Sequence, residues 1–259
     1  MRNKSTYIIL IIILIVFFVV MFVVFGIDNI RKEQYNTTII TGENTAWIYK
    51  NKNWQNIEGD KNLEKLNWQK FKVFSDNKEV GDYLLWHDDK WYAFDNKRDA
   101  IDIDGELLAY RANYDIKVLN TKEEQVEADD LNVVTALQDN NISLDTDFTA
   151  KYKVSVDYDN DGVEEDFYVI TNVFSTENTE NSVFSIVFMA KDDKIYYIYR
   201  DINSSKGLNG CKPFLKSFLD VDNDNNYEFI LGCGRYSMEE ELNMLYKEDE
   251  GDFKILVSN

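Results

Sequence analysis

The chain has 259 residues, and 47 acidic side chains outnumber 28 basic ones to give a formal net charge of −19. Such a surface repels nucleic acid and anionic lipid, which argues against a nucleic-acid partner and favours a solvated acidic face. Aromatic residues make up 14% of the chain and hydrophobic residues 44%, enough to build a core, so the composition argues against intrinsic disorder.

The first predicted element is an apolar run at residues 7–25 that contains no charged side chain. A helix of this length spans about 28 Å, close to the thickness of a bilayer core. Arg2 and Lys4 precede the run; short basic ends stay in the cytoplasm, whereas long following domains are translocated. The sequence therefore predicts a cytoplasmic stub at 1–6 and a transmembrane signal-anchor helix at 7–26. The protein would cross the cell membrane once, with its C-terminal part extracytoplasmic.

A cleaved secretory signal is the alternative for this run, with Val24 and Gly26 at the cleavage site. Signals of that kind usually have a shorter apolar region, which favours the uncleaved anchor. A short charged connector follows at 27–35. Both alternatives place the rest of the chain outside the cytoplasm.

Beyond the connector the pattern is typical of β-strands. Four segments place a polar turn between two aromatic strands, and each predicts a β-hairpin: 47–54, 84–91, 188–196 and 245–253. The sequence 102–106 adds another turn signal between two short apolar pairs. The fold class predicted for the exported part is therefore mainly β, with an N-terminal β region at about 36–120 and a second region at 141–259.

One helical segment is predicted between these two regions, within a connecting stretch at 121–140. Apolar residues recur there at close to helical spacing over 123–140: Val126, Leu131, Val134 and Leu137. For residues 235–246 the signals conflict. Ser237 and Glu240 have the spacing of a helix capping box, whereas the repeat pattern around them predicts a strand, so helix and strand both remain open there.

Two acidic loops carry the clearest chemical signal. They share the frame D-x-D-N-D-(G/N)-x-x-E, at 157–165 and at 220–228. Carboxylates at alternate positions of a tight turn converge on one point, where they repel each other unless a hard cation binds their oxygens. In helix-loop-helix calcium sites the twelfth position is acidic, but here it is Tyr168 and Leu231. Both loops instead have an acid at the ninth position, followed by strand-like residues, and they predict two Ca²⁺ sites between strands.

The ninth-position acid and the β flanks resemble the calcium loops of FG-GAP and VCBS-type repeats, found in the blades of integrin alpha-chain propellers and in exported bacterial proteins. The resemblance covers about 150–259, or two repeats. It implies metal ligands from the side chains at loop positions one, three, five and nine and from the backbone carbonyl at position seven. In the first loop these residues are Asp157, Asp159, Asp161, Val163 and Glu165. In the second loop they are Asp220, Asp222, Asp224, Asn226 and Glu228.

The chain departs from that family in two ways. Asn225 replaces the usual glycine, although asparagine tolerates the left-handed backbone conformation better than most residues. A closed seven-bladed propeller also needs far more chain than is present. We therefore expect blade-like antiparallel sheets, an incomplete set of propeller-like repeats, joined by the one amphipathic helix.

The chain has two cysteines, Cys211 and Cys233, and their midpoint falls within the second acidic loop. If that loop joins two antiparallel strands, the cysteines lie opposite each other or nearly so, at a separation that permits a disulfide. A pair of buried thiols is the alternative.

No residue set predicts an enzyme. His87 is the only histidine, which excludes a two-histidine zinc motif, and it is predicted to lie in an exposed polar turn. Four tryptophans in the hairpins would suit a sugar-binding platform, but their period-two spacing favours core positions and cross-strand pairs: Trp47, Trp54, Trp86 and Trp91.

The function predicted from the sequence is that of a membrane-anchored, extracytoplasmic, calcium-binding β protein. It would act by binding a protein or a cell-wall glycan, in adhesion or in envelope assembly. One alternative is an extracellular glycan hydrolase that uses paired carboxylates on a calcium-stabilised scaffold. Another is a purely structural subunit, because the loops alone do not discriminate between these functions.

Overall fold

A computed structural model describes residues 37–50, 53–57, 59–173, 183–203, 210–234, 241–249 and 251–259. The predicted stub, transmembrane helix and connector lie outside these residues. Within the described ranges, no helix is both long enough and apolar enough to span a membrane.

The N-terminal region forms one eight-stranded antiparallel sheet. Its strands are β1 (Thr37–Thr41), β2 (Thr45–Lys50), β3 (Asn53–Asn56), β4 (Gln69–Ser75), β5 (Lys78–His87), β6 (Trp91–Phe94), β7 (Ala100–Ile101) and β8 (Leu107–Arg111). Their order is β3-β2-β1-β8-β4-β5-β6-β7, so β8 lies between the two halves. A short helix α1 (Asp60–Leu63) and a 3₁₀ turn (Glu64–Leu66) connect β3 to β4 and bury Leu63 and Leu66 against the sheet.

The C-terminal region forms two further antiparallel sheets, one for each predicted repeat. The first contains β9 (Glu123–Gln125), β10 (Ala150–Val156), β11 (Glu165–Thr171), β12 (Val183–Lys191) and β13 (Lys194–Asn203), with helix α2 (Leu131–Asp139) between β9 and β10. The second contains β14 (Lys212–Leu219), β15 (Glu228–Gly234), β16 (Leu242–Asp249) and β17 (Asp252–Ser258). Each repeat is a meander of consecutive strands, and the described strands close none of the three sheets.

The four predicted hairpins are confirmed as β2–β3, β5–β6, β12–β13 and β16–β17. The turn signal at 102–106 does not join a hairpin. Strand β7 pairs with β6, whereas β8 pairs with β1 and β4, so this connection crosses the sheet instead. For the ambiguous segment 235–246, residues from Leu242 onward are strand, and 235–240 lie outside the described residues.

The helix predicted over 123–140 is wrong in its first half. Glu123–Gln125 forms β9, which pairs with the edge of β10, and Asp130 caps the helix by accepting hydrogen bonds from the N–H groups of Asn132 and Val133. Starting the helix at this cap also changes its buried face. Leu131 is 78% exposed, and the helix packs on the first-repeat sheet through Val133, Ala136 and Leu137.

The sheet of the second repeat lies between the other two sheets. Successive side chains of a strand point to opposite faces, so this sheet contributes to two cores. The core shared with the N-terminal sheet includes Leu219, Ile230, Leu245, Ile39 and Trp47. The core shared with the first-repeat sheet includes Phe218, Phe229, Tyr246, Phe167 and Val187. The second acidic loop therefore belongs to the middle layer, and the first to an outer one.

Candidate metal centre

Each acidic loop connects two paired strands. The first loop begins at Asp157, directly after β10, and its ninth residue Glu165 is the first residue of β11. The second begins at Asp220, directly after β14, and its ninth residue Glu228 is the first residue of β15. The prediction that the loops lie between strands is confirmed.

The two loops wrap around their first aspartate in the same way. In the first loop Asp157 accepts hydrogen bonds from the N–H groups of Asp161 and Gly162, at 2.9 and 3.0 Å. In the second loop, Asp220 accepts the corresponding bonds at 3.1 and 3.3 Å, from Asp224 N–H and Asn225 N–H. The shared frame of residues thus specifies one backbone path twice.

The path needs two left-handed residues in each loop. Asn160 and Asn223, at position four, have φ angles of 57° and 60°. At position six Gly162 has a φ of 92° and Asn225 has a φ of 70°. Glycine and asparagine enter this region at lower energy than other residues, so Asn225 preserves the turn although it replaces a glycine.

The ninth-position acids are buried at the base of the loops. Glu165 is 2% exposed and Glu228 is fully buried. Each accepts a hydrogen bond from the N–H group of the second loop residue, Tyr158 at 3.4 Å and Val221 at 3.0 Å. These bonds close each loop through one carboxylate oxygen of each glutamate, Oε2, while the other, Oε1, lies near a lysine.

Three of the four acidic side chains predicted as ligands in each loop converge. Their carboxylate oxygens lie within 4.8 Å of one another in the sets Asp157, Asp159, Glu165 and Asp220, Asp222, Glu228. The fifth-position acids are outside these groups, because Asp161 and Asp224 each accept a hydrogen bond from the N–H two residues on, at 2.8 Å. Those N–H groups belong to Val163 and Asn226, the residues whose carbonyls the family resemblance implies as ligands.

A lysine occupies each cluster, which sequence reasoning missed. Lys191 Nζ lies 2.5 Å from Asp159, 2.8 Å from Glu165 and 3.7 Å from Asp161. The register that pairs Asp166 with Ala190 brings Lys191 opposite Glu165. The only sequence signal for this contact is the position of the lysine directly before the β12–β13 turn.

The second loop repeats the arrangement with Lys247 of β16. Its Nζ lies 2.7 Å from Asp222, 2.8 Å from Asp224 and 2.9 Å from Glu228. In both loops the Oε1 atom of the ninth-position glutamate is near the ammonium group but accepts no well-directed hydrogen bond. These contacts are therefore ion pairs held by charge, and each glutamate oxygen retains capacity for another ligand.

Burial sets the ionisation of the two clusters. It raises the pKa of Glu228 to about 7, against the opposing effect of Lys247, and it raises the pKa of Glu165 against Lys191. Burial lowers the pKa of each lysine, but the hydrogen bonds to carboxylates outweigh it, so the pKa of Lys191 and of Lys247 is raised overall. Both lysines therefore stay charged at neutral pH.

The donor set fits a hard divalent cation. Each loop has four carboxylates in the shared frame, and a single ammonium group contacts three of them, so a net negative charge remains after the ion pairs form. Oxygen is the ligand atom that Ca²⁺ and Mg²⁺ prefer, and neither cluster contains the histidine or cysteine typical of zinc sites. A divalent cation would have to displace the ammonium group or share the carboxylates with it.

The two loops are adjacent. Tyr227 N–H, in the second loop, donates a 2.8 Å hydrogen bond to the carbonyl of Tyr158 in the first. The second loop is also covered by the segment that follows β8, since Asp220 N–H donates to the Lys117 carbonyl at 3.0 Å and Lys117 Nζ donates to Asn225 at 3.2 Å. The two loops are thus joined by a backbone hydrogen bond.

Cys211 and Cys233 form a disulfide with their Cα atoms 5.3 Å apart, and both residues are buried. Cys233 lies on β15, and Cys211 immediately precedes β14. The bond joins the two strands at the end of the hairpin farthest from the second acidic loop. No corresponding bond joins the strands of the first loop, because the chain has only these two cysteines.

The prediction that His87 is exposed is wrong. It ends β5 with 1% exposure, its ring lies 4.8 Å from that of Trp91, and burial lowers its pKa. Its Nε2 lies 2.9 Å from the side-chain amide of Asn44, whose nitrogen is the donor in the orientation that also satisfies the neighbouring carbonyls. This environment is that of a neutral core histidine.

No protein-family model matches the chain, and neither a characterised protein nor a solved structure matches it. The resemblance to FG-GAP and VCBS-type repeats therefore rests on the two loops and their strands alone.

Proposed function

We propose that the protein is a membrane-tethered, extracytoplasmic β protein that binds one Ca²⁺ ion in each acidic loop and uses its exported sheets to bind a protein or glycan of the cell envelope. The observation that carries the proposal is the duplication. Two loops with the same frame, hydrogen bonds and buried ninth-position glutamate have formed at equivalent positions of two strand meanders. A solvated acidic turn has no need to bury its last carboxylate.

In the first loop, Asp157, Asp159 and Glu165 would hold the ion, and in the second, Asp220, Asp222 and Glu228 would do so. A bound divalent cation supplies two positive charges where the lysine supplies one, so it relieves carboxylate repulsion more completely. The role would be structural, because each ion would fasten the start and end of a connection between paired strands. Partner binding would then depend on a calcium-stabilised arrangement of the sheets.

The test is a calcium titration of the full chain in detergent micelles, followed by calorimetry and by thermal unfolding with and without chelator. Asp159→Ala and Asp222→Ala each remove one converging carboxylate, from the first and second loop. The matched control is Asp147→Ala, an exposed aspartate before β10 and outside both loops. We expect two binding events in the native chain, the loss of one in each loop variant, and an unchanged titration in the control.

A chain that binds no calcium, and whose melting temperature is the same with chelator, would overturn the proposal. The two lysines would then be the permanent counter-ions of the loops. If both loop variants abolished the same single event, the two clusters would form one site, which contradicts the assignment of one ion to each loop.

A further inference from the structure

Both repeats place a lysine at the same position relative to the acidic loop. In the first repeat, the strand register puts Lys191 opposite Glu165. In the second, it puts Lys247 of β16 opposite Glu228 of β15. The duplication therefore extends beyond the nine-residue frame to a residue of the next strand. A counter-ion that recurs at one register position is a regular part of the repeat.

Each lysine contacts the carboxylates that a metal ion needs. Lys191 Nζ lies 2.8 Å from Glu165 Oε1, and Lys247 Nζ lies 2.9 Å from Glu228 Oε1. Both glutamate oxygens are buried, and neither accepts a hydrogen bond within the described part of the chain. Both glutamates also belong to the acidic sets whose oxygens lie within 4.8 Å of one another. The ammonium group and a metal ion thus compete for the same carboxylates.

The outcome of this competition depends on the charge of the ion. A divalent cation brings two positive charges to the carboxylates where the ammonium group brings one, so its Coulomb attraction to them is stronger. A sodium ion brings no more charge than the lysine. The lysine is also tethered beside the loop, which gives it a high effective concentration there. A divalent cation can therefore replace the ammonium group, whereas a monovalent cation gains nothing by doing so.

The two lysines differ in how firmly they are held. Lys247 lies within 2.9 Å of three carboxylates. Lys191 has two such contacts, at 2.5 and 2.8 Å, and reaches Asp161 only at 3.7 Å. Its Nζ also lies 5.7 Å from the ring centroid of Tyr158, within the range of a cation–π interaction. Release of the lysine is therefore less costly in the first loop than in the second.

We propose that Lys191 and Lys247 are internal competitors of the metal ion, an inference that rests on the proposed calcium binding. In the ion-free chain each ammonium group holds the carboxylates of its loop together. A divalent cation displaces the lysine, and a monovalent cation does not. The lysines thus raise the dissociation constant of each loop for Ca²⁺, so the loops fill at higher calcium concentrations than their carboxylates alone would require.

The first experiment measures the calcium affinity of each loop by calorimetry, with the full chain in detergent micelles. Asp159→Ala leaves only the second-loop event, and Asp222→Ala leaves only the first. Added to these backgrounds, Lys247→Met should lower the second-loop Kd about tenfold, because it removes three ion pairs. Lys191→Met should lower the first-loop Kd about threefold, because it removes two close ones.

The matched controls are two lysines on the outer strands of the same hairpins. Lys254 lies opposite Lys247, and Lys194 lies opposite Lys191. Lys194 is exposed, and Lys254 pairs with Asp249 at the surface. Replacing either with Met removes the same charge, but should change the Kd by less than about twofold, because exposed charges are screened. An equal fall in Kd in a lysine variant and its control would reduce the effect to net charge and overturn the proposal.

The second experiment uses the native chain, so it does not depend on the folding of a lysine variant. The chain in micelles is treated with an amine-reactive ester in calcium chloride or in sodium chloride of equal ionic strength, and mass spectrometry measures the labelling of each lysine. An ammonium group held by carboxylates reacts slowly, and a displaced one reacts faster. Labelling of Lys191 and Lys247 should be severalfold higher in calcium than in sodium, whereas that of Lys254 should be equal in both salts.

The outcomes separate this inference from the calcium sites themselves. Calcium binding with the same Kd in the native chain and in Lys247→Met, or equal labelling of Lys247 in both salts, would overturn the competitor role and leave the sites in place. If neither the native chain nor the two lysine variants bound calcium, both proposals would fail. If only the lysine variants bound it, the competitor role would hold, and the proposed calcium-loaded state of the native chain would fail.

Discussion

The two acidic loops have the same internal structure in different surroundings. Both wrap around the first aspartate, bury the ninth-position glutamate and contact a lysine from the next strand. The second loop, however, belongs to the middle sheet and is covered by the segment around Lys117, so Asp220 is only 1% exposed. Asp157, its equivalent in the outer sheet, is partly exposed. The sequence frame thus determines the path of the loop, whereas the layer determines its burial.

The two clusters also differ in the ion pairs that their lysines make. Lys247 lies within 2.9 Å of three carboxylates, whereas Lys191 reaches its third, Asp161, only at 3.7 Å. Because Lys247 makes three close contacts and Lys191 only two, the second cluster should contribute more to stability and respond more to perturbation.

The largest effect is expected from the disulfide, which supports only the second loop. Replacing Cys211 and Cys233 with Ala opens a loop of 22 residues, the sequence separation of the pair, and should lower the free energy of unfolding by about 3 kcal/mol. Denaturant unfolding measures the loss. Amide exchange should show that protection falls more in β14–β15 than in β10–β11. Equal loss of protection in both hairpins would mean that the two repeats unfold as one unit. The two loops would then not differ in stability.

A comparable effect is expected from pH, through Glu228. Its pKa in the folded, metal-free chain is about 7, against a usual value of 4.5. Between these pH values the folded chain holds a proton that the unfolded chain has lost, so the free energy of unfolding falls as pH rises from about 4.5 to 7, by about 3 kcal/mol, and is level above. Denaturant unfolding in chelator from pH 5 to 8 measures this slope.

The matched variants for the pH experiment are Glu228→Gln and Glu165→Gln. Glutamine copies the protonated glutamate, so Glu228→Gln should remove most of the slope between pH 5 and 7. Glu165→Gln should remove a smaller part, because the first loop is more exposed. A native slope of opposite sign, or one that Glu228→Gln leaves unchanged, would contradict the assignment of the raised pKa to this residue.

A smaller effect is expected when the lysines are removed. Lys247→Met in chelator should lower the free energy of unfolding by about 2 kcal/mol, because it leaves three carboxylates together; proton uptake by Glu228 limits the loss. Lys191→Met should lower the free energy of unfolding by a smaller amount. Saturating calcium should restore the free energy of unfolding that both variants lost, since the ion binds only the folded loop.

Lys254→Met is the control for these two variants, because Lys254 is 60% exposed and pairs with Asp249 at the surface. It should change stability by less than about 1 kcal/mol. If calcium failed to restore Lys247→Met, the lysine would be needed for packing and not as a counter-ion that the cation can replace.

Much of this organisation is predictable from local sequence. The frame of the acidic loops predicted a connection between strands with converging carboxylates, and three of the four predicted acidic side chains in each loop do converge. Hairpins such as β2–β3 and β16–β17 also follow from a polar turn between aromatic strands. These signals are readable because every interacting residue lies within a few positions of the others.

The parts that sequence reasoning missed depend on distant contacts. Lys191 and Lys247 reach the loops only through the pairing of β11 with β12 and of β15 with β16. Strand β8 separates β1 from β4 after a crossover at 102–106, where the turn signal does not indicate which strands the turn joins. Helix α2 was predicted too early because Val126 fits the helical spacing, but it is buried beside the helix while Glu123–Gln125 extends the sheet.

The smallest predicted effect concerns position six of the acidic loops, where the shared frame has glycine in the first loop and asparagine in the second. Gly162 has a φ of 92° and no neighbouring atom within 4 Å of an added Cβ, so substitution there perturbs only the backbone. Gly162→Ala should lower the free energy of unfolding by about 1 kcal/mol, and Gly162→Asn by less, because asparagine adopts this conformation more readily. Asn225→Gly should change it by less than about 1 kcal/mol, since the relief of strain is offset by a more flexible unfolded chain and by loss of the hydrogen bond from Lys117. Denaturant midpoints of the three variants measure this order. If Gly162→Asn cost as much as Gly162→Ala, the two loops would not tolerate the same residue at position six, and the equivalence of their backbone paths would fail there.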